Sequence, residues 1–209
     1  FGNEFFDAIP IKQFKKIKNS LFEKNYILDK NYKVKQIFKK ASASDNKIIK
    51  SYQALRKLKF IEFPKLGLKE LKKIANKISK LNGCILLIDY GYFKPNNQNT
   101  LQSIMKHKKN NLFNNLGAAD ITAHVNFKLL QEFFSKNNLK TKDLISQKEF
   151  LENMGILERA KILAKKMKFT EQSDLYLRIQ RLLSPRYMGE LFKVILAYKF
   201  NNDNFAGFK

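Results

Sequence analysis

The sequence has 209 residues, a formal net charge of +23 and 44% hydrophobic residues, so it can bury a sizeable core and does not read as disordered. Its single cysteine, Cys84, excludes an intrachain disulfide and a cysteine-based zinc site. No apolar run approaches the ~18 residues that a membrane-spanning helix needs, and no signal peptide is visible.

The chain opens on Phe1 rather than Met, inside what reads as a motif, so residues upstream are expected. The first eight residues, F-G-N-E-F-F-D-A, join the polar pair Asn3-Glu4 to Phe5-Phe6 and then Asp7. A single helical turn would put the Glu4 and Asp7 carboxylates on one side, and Pro10 discourages a longer helix. The pattern fits a cation-binding mouth, and it also fits, more simply, a turn with one capping acid and one solvated acid. Residues 11–40 are mixed. Ile11, Phe14 and Ile17 suit a helix, whereas Tyr26, Leu28, Tyr32, Val34 and Phe38 suit short strands separated by breaks at 18–20 and 29–31, and the stretch reads as a β-rich insertion. Ala41 to Asn46 reads as a polar linker, Ile48 to Leu58 as a short helix and Phe60 to Pro64 as an extended piece.

The clearest helix follows. Leu68, Leu71, Ile74, Ala75, Ile78 and Leu81 repeat at three and four, and Asn82-Gly83 closes the element. Cys84 to Ile88 is a continuous apolar run ending in Asp89-Tyr90-Gly91-Tyr92. Helix, turn and buried strand in succession indicate a parallel α/β sheet, and an acid at that strand's carboxyl end lies where open α/β sheets bind ligands. Cys84 reads as a small core residue. Thr100 is expected to cap a short helix running through His107, which would place His107 on its surface. Asp120, Thr122 and His124 share one polar segment, and Asn126 is expected to cap a helix over 127–136. Thr141 to Ser146 suits an edge strand, and helices are expected over 148–154, 157–167 and 170–183. Leu191 to Tyr198 is a final strand, and residues 201–209 read as a loose tail.

The glycines never fall as GxG, so neither a dinucleotide fingerprint nor a P-loop is present, and no metal-ligand spacing appears. The charge of +23 is a footprint for nucleic acid or an anionic surface, or the mark of a Lys- and Asn-rich composition. The lysines form no single block, and nucleic acid remains open as a partner.

Six segments occur in an order with a family precedent: N-E-F-F-D-A-I-P-I (3–11), I-D-Y-G-Y (88–92), T-L-Q-S-I-M-K-H (100–107), G-A-A-D-I-T-A-H-V-N-F (117–127), F-L-E-N-M-G-I (150–156) and M-G-E-L-F-K-V-I (188–195). Together they closely resemble the MidA-type S-adenosyl-L-methionine (SAM)-dependent methyltransferases. Gly2, Asn99 and Asn126 depart mildly from that pattern. The family's Gly-rich SAM motif lies upstream of the first segment and is not in this sequence.

The resemblance implies an α/β, Rossmann-like class I methyltransferase fold. Phe1–Asn3 would end the fourth strand, and 84–88, 141–146 and 192–198 would be the fifth to seventh, the last antiparallel. Residues 1–209 would be the C-terminal, substrate-side part of one domain, with the β-rich insertion at 11–40 and a helical one at about 148–183. The implied cofactor is SAM, held mainly by residues upstream. The implied activity is protein-arginine methylation linked to respiratory complex I assembly, in a bacterial cytoplasm or, alternatively, the mitochondrial matrix. Glu4 and Asp7 would be catalytic, and Asn3, Asp89, Tyr90, Asp120 and His124 would line the substrate mouth. A basic nucleic-acid-binding module and a non-catalytic assembly factor are the alternatives.

Overall fold

The computed structural model describes residues 1–201 and 203–208. In chain order, β1 (Gly2–Asn3) leads through a tight loop to β2 (Lys12–Ile17), β3 (Ser20–Leu28) and β4 (Val34–Lys40). The two hairpin turns fall on the expected breaks. Lys18 adopts a left-handed φ of 51° in the first, and in the second the Asp29 carboxylate accepts the Asn31 and Lys33 amides at 2.9 Å each. Phe14 is therefore a strand residue, although its spacing from Ile11 and Ile17 also suits a helix.

Helix α1 (Ala43–Ser51) begins inside the expected linker, because the Ser42 hydroxyl accepts the Asp45 amide and caps it. A short α2 (Gln53–Arg56) and β5 (Phe60–Phe63) follow, then α3 (Lys65–Leu81), which ends where Asn82 turns left-handed. The next strand, β6 (Cys84–Tyr92), is the longest of the main sheet. Its first residue, Cys84, is exposed and not a core residue as expected, because the strand begins at the rim.

The helix expected from Thr100 to His107 is absent. A hairpin stands there, with β7 (Gln102–Met105) and β8 (Lys108–Asn110) joined by Lys106 and His107, both left-handed, and β9 (Asp120–Thr122) completes a three-stranded sheet. Next come β10 (Val125–Asn126) and α4 (Phe127–Lys136), where the Asn126 carboxamide caps the helix by accepting the Leu129 amide at 3.0 Å. The expected edge strand is split into β11 (Lys140–Thr141) and β12 (Ile145–Ser146). Three helices follow, α5 (Gln147–Asn153), α6 (Ile156–Ala164) and α7 (Phe169–Leu183), then a turn of helix, α8 (Met188–Leu191), and β13 (Phe192–Tyr198).

The main sheet runs β1-β6-β13-β11, with β12 also on β13 and β10 also on β6. β1 is parallel to β6, and β13 lies antiparallel on it from Phe192↔Tyr90 to Tyr198↔Cys84. β13 is buried throughout because helices and loops cover both faces. Leu71 and Ala75 of α3 share one apolar core with Ile85 and Leu87 of β6 and with Phe127, Leu130, Phe133 and Phe134 of α4. The second sheet, β4-β3-β2-β5, joins this core through Phe14, Leu21, Ile61 and Phe63. The tail is not loose over its described residues. Phe208 is buried against Phe150, and the Tyr198 hydroxyl donates to Asp203 at 2.5 Å; residues 202 and 209 lie outside the described residues.

Candidate active site

The site begins where β1 stops. Asn3 is exposed, and Glu4 takes a left-handed φ of 46° while its amide donates to the Ile88 carbonyl at 3.1 Å. A left-handed glutamate costs backbone energy and persists only where its surroundings impose it. The next three amides turn onto one acceptor. Asp89 Oδ2 receives the Phe5, Phe6 and Asp7 N–H groups at 3.0, 2.6 and 3.3 Å, and Oδ1 receives the Tyr90 amide at 2.8 Å. The loop after β1 is thus hung from the carboxyl end of β6. Phe6 points into the core while Phe5 stays 54% exposed at the mouth.

Asp7 is buried beneath Glu4, and its carbonyl accepts the Ala123 amide at 2.9 Å, which brings the segment before β10 alongside. Burial pushes the Asp7 carboxyl above its ordinary value; the Ala8 amide pulls it back, and the Glu4 charge raises it again. Asp89 is pushed up to about 6, first by burial and then by the Asp7 charge, against the pull of its amide donors. His124 is half-buried, and burial holds it below the usual histidine value while Glu62 and Asp7 pull the other way. Burial, then the Glu4 and Asp7 charges, push up the Tyr90 phenol, and Arg181 of α7 counters them. Asp7 is therefore close enough to Glu4, Asp89, Tyr90 and His124 for its charge to act on each of them. Asp120 is not among them: it is exposed on β9, and no hydrogen bond or ion pair joins it to the others among the described residues.

A further acid, unforeseen in the sequence, sets the far wall. Glu62 of β5 is buried and accepts from Gln13 Nε2 at 2.8 Å, from the Thr100 amide and hydroxyl at 3.1 and 2.5 Å, and from the Leu101 amide at 3.2 Å. The Thr100 oxygen in turn accepts the His124 amide at 2.9 Å. Thr100 thus joins a polar network where a helix cap was expected. A lone acid between Ile61 and Phe63 was the available signal. Beside His124 an open cleft of about 390 Å³ is lined by Asn99, Thr100, Gln102 and Ser103 among others. Gly91 is fixed by close approach, since a Cβ there would stand 2.3 Å from the Val125 carbonyl oxygen and 2.6 Å from the Phe127 ring.

Residues 1–145 match the model of a family described as "Putative S-adenosyl-L-methionine-dependent methyltransferase". The chain belongs to this MidA-type methyltransferase family. Its curated relatives include the protein arginine methyltransferase NDUFAF7, mitochondrial, of Xenopus laevis, 28% identical over 195 residues, and the Caenorhabditis elegans homolog, 30% identical over 178 residues. Those matches take in 92% and 83% of this chain but 44% and 41% of the relatives, so the chain spans less than half the length of the curated relatives it matches. Two solved structures from Burkholderia thailandensis share the fold at 22% identity. One superposes with a TM-score of 0.84 over 99% of this chain and 56% of its own. The other, bound to S-adenosyl-homocysteine, superposes with a TM-score of 0.81 over 99% and 54%. The antiparallel β13 against parallel β1 and β6 is the sheet order that the class I methyltransferase fold requires.

SAM is the cofactor of this methyltransferase family. The described residues do not by themselves fit it. A nucleoside needs close backbone approach at a glycine-rich turn, and the eight glycines here form none. The acids at the mouth suit a cationic acceptor instead.

Proposed function

We propose that this chain forms the acceptor side of a SAM-dependent methyltransferase, and that the acceptor is a protein arginine. The observation that carries the reading is Glu4, a strained, exposed carboxylate at the end of β1 beside buried Asp7. A guanidinium offers a planar fork of donors that a carboxylate takes up in bidentate fashion. Glu4 would orient that fork, and Asp7 would reinforce the negative field beneath it. Asn3 and Tyr90 would line the entrance. The Asp89 carboxylate, with both oxygens engaged by amides, would act by holding the loop. Burial holds His124 below the usual histidine value, and its ring makes no hydrogen bond within the described residues, so it is available to take up the proton that the newly methylated guanidinium sheds. Asp120 would act only on a long acceptor reaching β9. The second sheet and helices α5–α7 read as insertions framing this mouth.

The names of the relatives support arginine as the acceptor, and the family resemblance adds a respiratory complex I subunit as the acceptor protein. The test is single-turnover methylation of an arginine-containing acceptor by the intact protein and its Glu4→Gln variant, with SAM affinity measured in parallel. Losing one preorganised electrostatic partner should lower the rate about 10²-fold, or ~2.7 kcal/mol, with SAM affinity nearly unchanged. Equal rates would remove Glu4 from the site.

A further inference from the structure

The second sheet has one face committed to the core and one turned outward. Phe14, Leu21, Ile61 and Phe63 fill the inner face. Strand register fixes the outer one: Phe60 lies opposite Lys15, Lys15 opposite Phe22 and Phe22 opposite Lys40, while in the next row Lys24 lies opposite Phe38 and in the third Tyr26 lies opposite Gln36. Aromatic rings and lysines thus alternate both along and across the strands. Tyr26 and Phe38 are 38% and 37% exposed, and Phe113 extends the row with its ring 4.9 Å from Tyr26. Lys24 Nζ sits 5.1 Å from the Tyr26 ring and Lys15 Nζ 5.8 Å from the Phe38 ring.

No carboxylate among the described residues pairs with Lys15, Lys24, Lys40 or Lys59. The acid on this face, Glu62, is buried and already saturated by Gln13, Thr100 and Leu101. Between Phe38 and Phe60 opens a cleft of about 370 Å³, also lined by Asn97 and Asn99. Their carboxamide oxygens are engaged, Asn97 by the Lys59 and Phe60 amides and Asn99 by Gln13, which leaves each Nδ2 to donate outward.

We propose that this outer face binds single-stranded nucleic acid. Charge complementarity requires an anionic partner, and the exposed rings select among anions: flat bases stack on aromatic side chains, while lysines beside them neutralise the phosphates. A duplex hides its base faces, and an acidic peptide has no use for rings set between cations. The free amide donors in the cleft suit the acceptor-rich edges of an unstacked base. This binding does not rest on the methyl-transfer reading, since Lys15, Lys24, Tyr26 and Phe38, which carry it, take no part in that reading.

The test is fluorescence anisotropy on the intact protein with oligouridylate and oligothymidylate of about twelve nucleotides, within the span of a single-strand-binding domain. A duplex of equal length and an oligoglutamate peptide serve as competitors. Both single strands should bind if stacking and charge suffice; binding of the RNA alone would add a contact to the 2′-hydroxyl. Tyr26→Ala with Phe38→Ala should weaken the complex about tenfold or more. Lys15→Ala with Lys24→Ala should weaken it and flatten the salt dependence by a slope of about 1.4. Lys72→Ala with Lys77→Ala, which removes equal charge from the exposed side of α3, should leave it unchanged. Phe38→Leu keeps the apolar volume without the ring and replaces the alanine variant if that variant fails to fold. Aromatic variants that bind like wild type, or an equal loss in the α3 variant, would reduce the effect to bulk charge and overturn the proposal. An oligoglutamate that binds as tightly, with no dependence on Tyr26 or Phe38, would assign the face to an acidic protein segment.

Discussion

Asp89 shows how one buried carboxylate can hold a whole loop by its amides. Removing it in Asp89→Ala would strand four amide donors in a region with little water, at about 1–3 kcal/mol each for those that stay buried. The expected result is a loss of about 3 kcal/mol or more, read as a lower denaturation midpoint. Its titration has a definite sign. Because its folded pKa of about 6 lies above the unfolded value of 3.8, the folded state binds the extra proton, and stability falls as pH rises from about 4 to about 6. Asp7 is shifted the same way, whereas His124 is depressed and adds a slope of opposite sign, lost as pH falls below about 6.5. The Asp89 contribution is therefore the difference between wild type and Asp89→Asn in urea midpoints across pH 4–7. The wild-type midpoint should rise relative to that of Asp89→Asn as pH falls from about 6 to about 4, and parallel curves would show that the Asp89 carboxyl is not raised by folding.

At the scale of elements, the network of Glu62 ties β5 to the loop before β7. Thr100→Val removes the hydroxyl that donates to Glu62 and accepts from His124. It should cost about 1–3 kcal/mol and lower methyl transfer by loosening His124; an unchanged melting temperature would show that water replaces the hydroxyl without loss. Gly91→Ala should cost about 1–3 kcal/mol, because a backbone carbonyl and a buried ring block the new methyl group. Elements with a long apolar period and a cap were legible in the sequence: α3 with Asn82, α4 with Asn126, and the runs of β6 and β13. The hairpin of β7 and β8 was not, because its left-handed turn is made of Lys106 and His107, without the Gly or Asn that usually marks one. Thr100 resembled a cap because the partner of its hydroxyl, Glu62, lies 38 residues away in the sequence. The spacing of Glu4 and Asp7 before Pro10 marked a turn, but it suited a capping acid as well as a site and assigned neither residue a role. Glu62 could not be assigned a role, since each of its donors comes from another element.

For the molecule as a whole, the open side of the main sheet is decisive. Among the described residues no strand pairs with β1 on the side away from β6, and β1 is two residues long. A polypeptide of residues 1–209 is expected to bind SAM weakly or not at all, since it supplies no glycine-rich turn, and to aggregate through that edge. Calorimetry showing micromolar affinity would refute the first expectation, and a monodisperse monomer at high concentration the second.

The suspension of the Phe5–Asp7 loop from Asp89 also sets an order of events during synthesis. The ribosome makes Glu4 some 85 residues before the carboxylate that anchors its loop, and at about 5–20 residues per second that interval lasts roughly 4–17 s. Throughout it Phe5 and Phe6 have no fixed lodging and are open to chaperones. The loop after β1 is thus a late-maturing feature of the nascent chain, because it is synthesised well before its anchor.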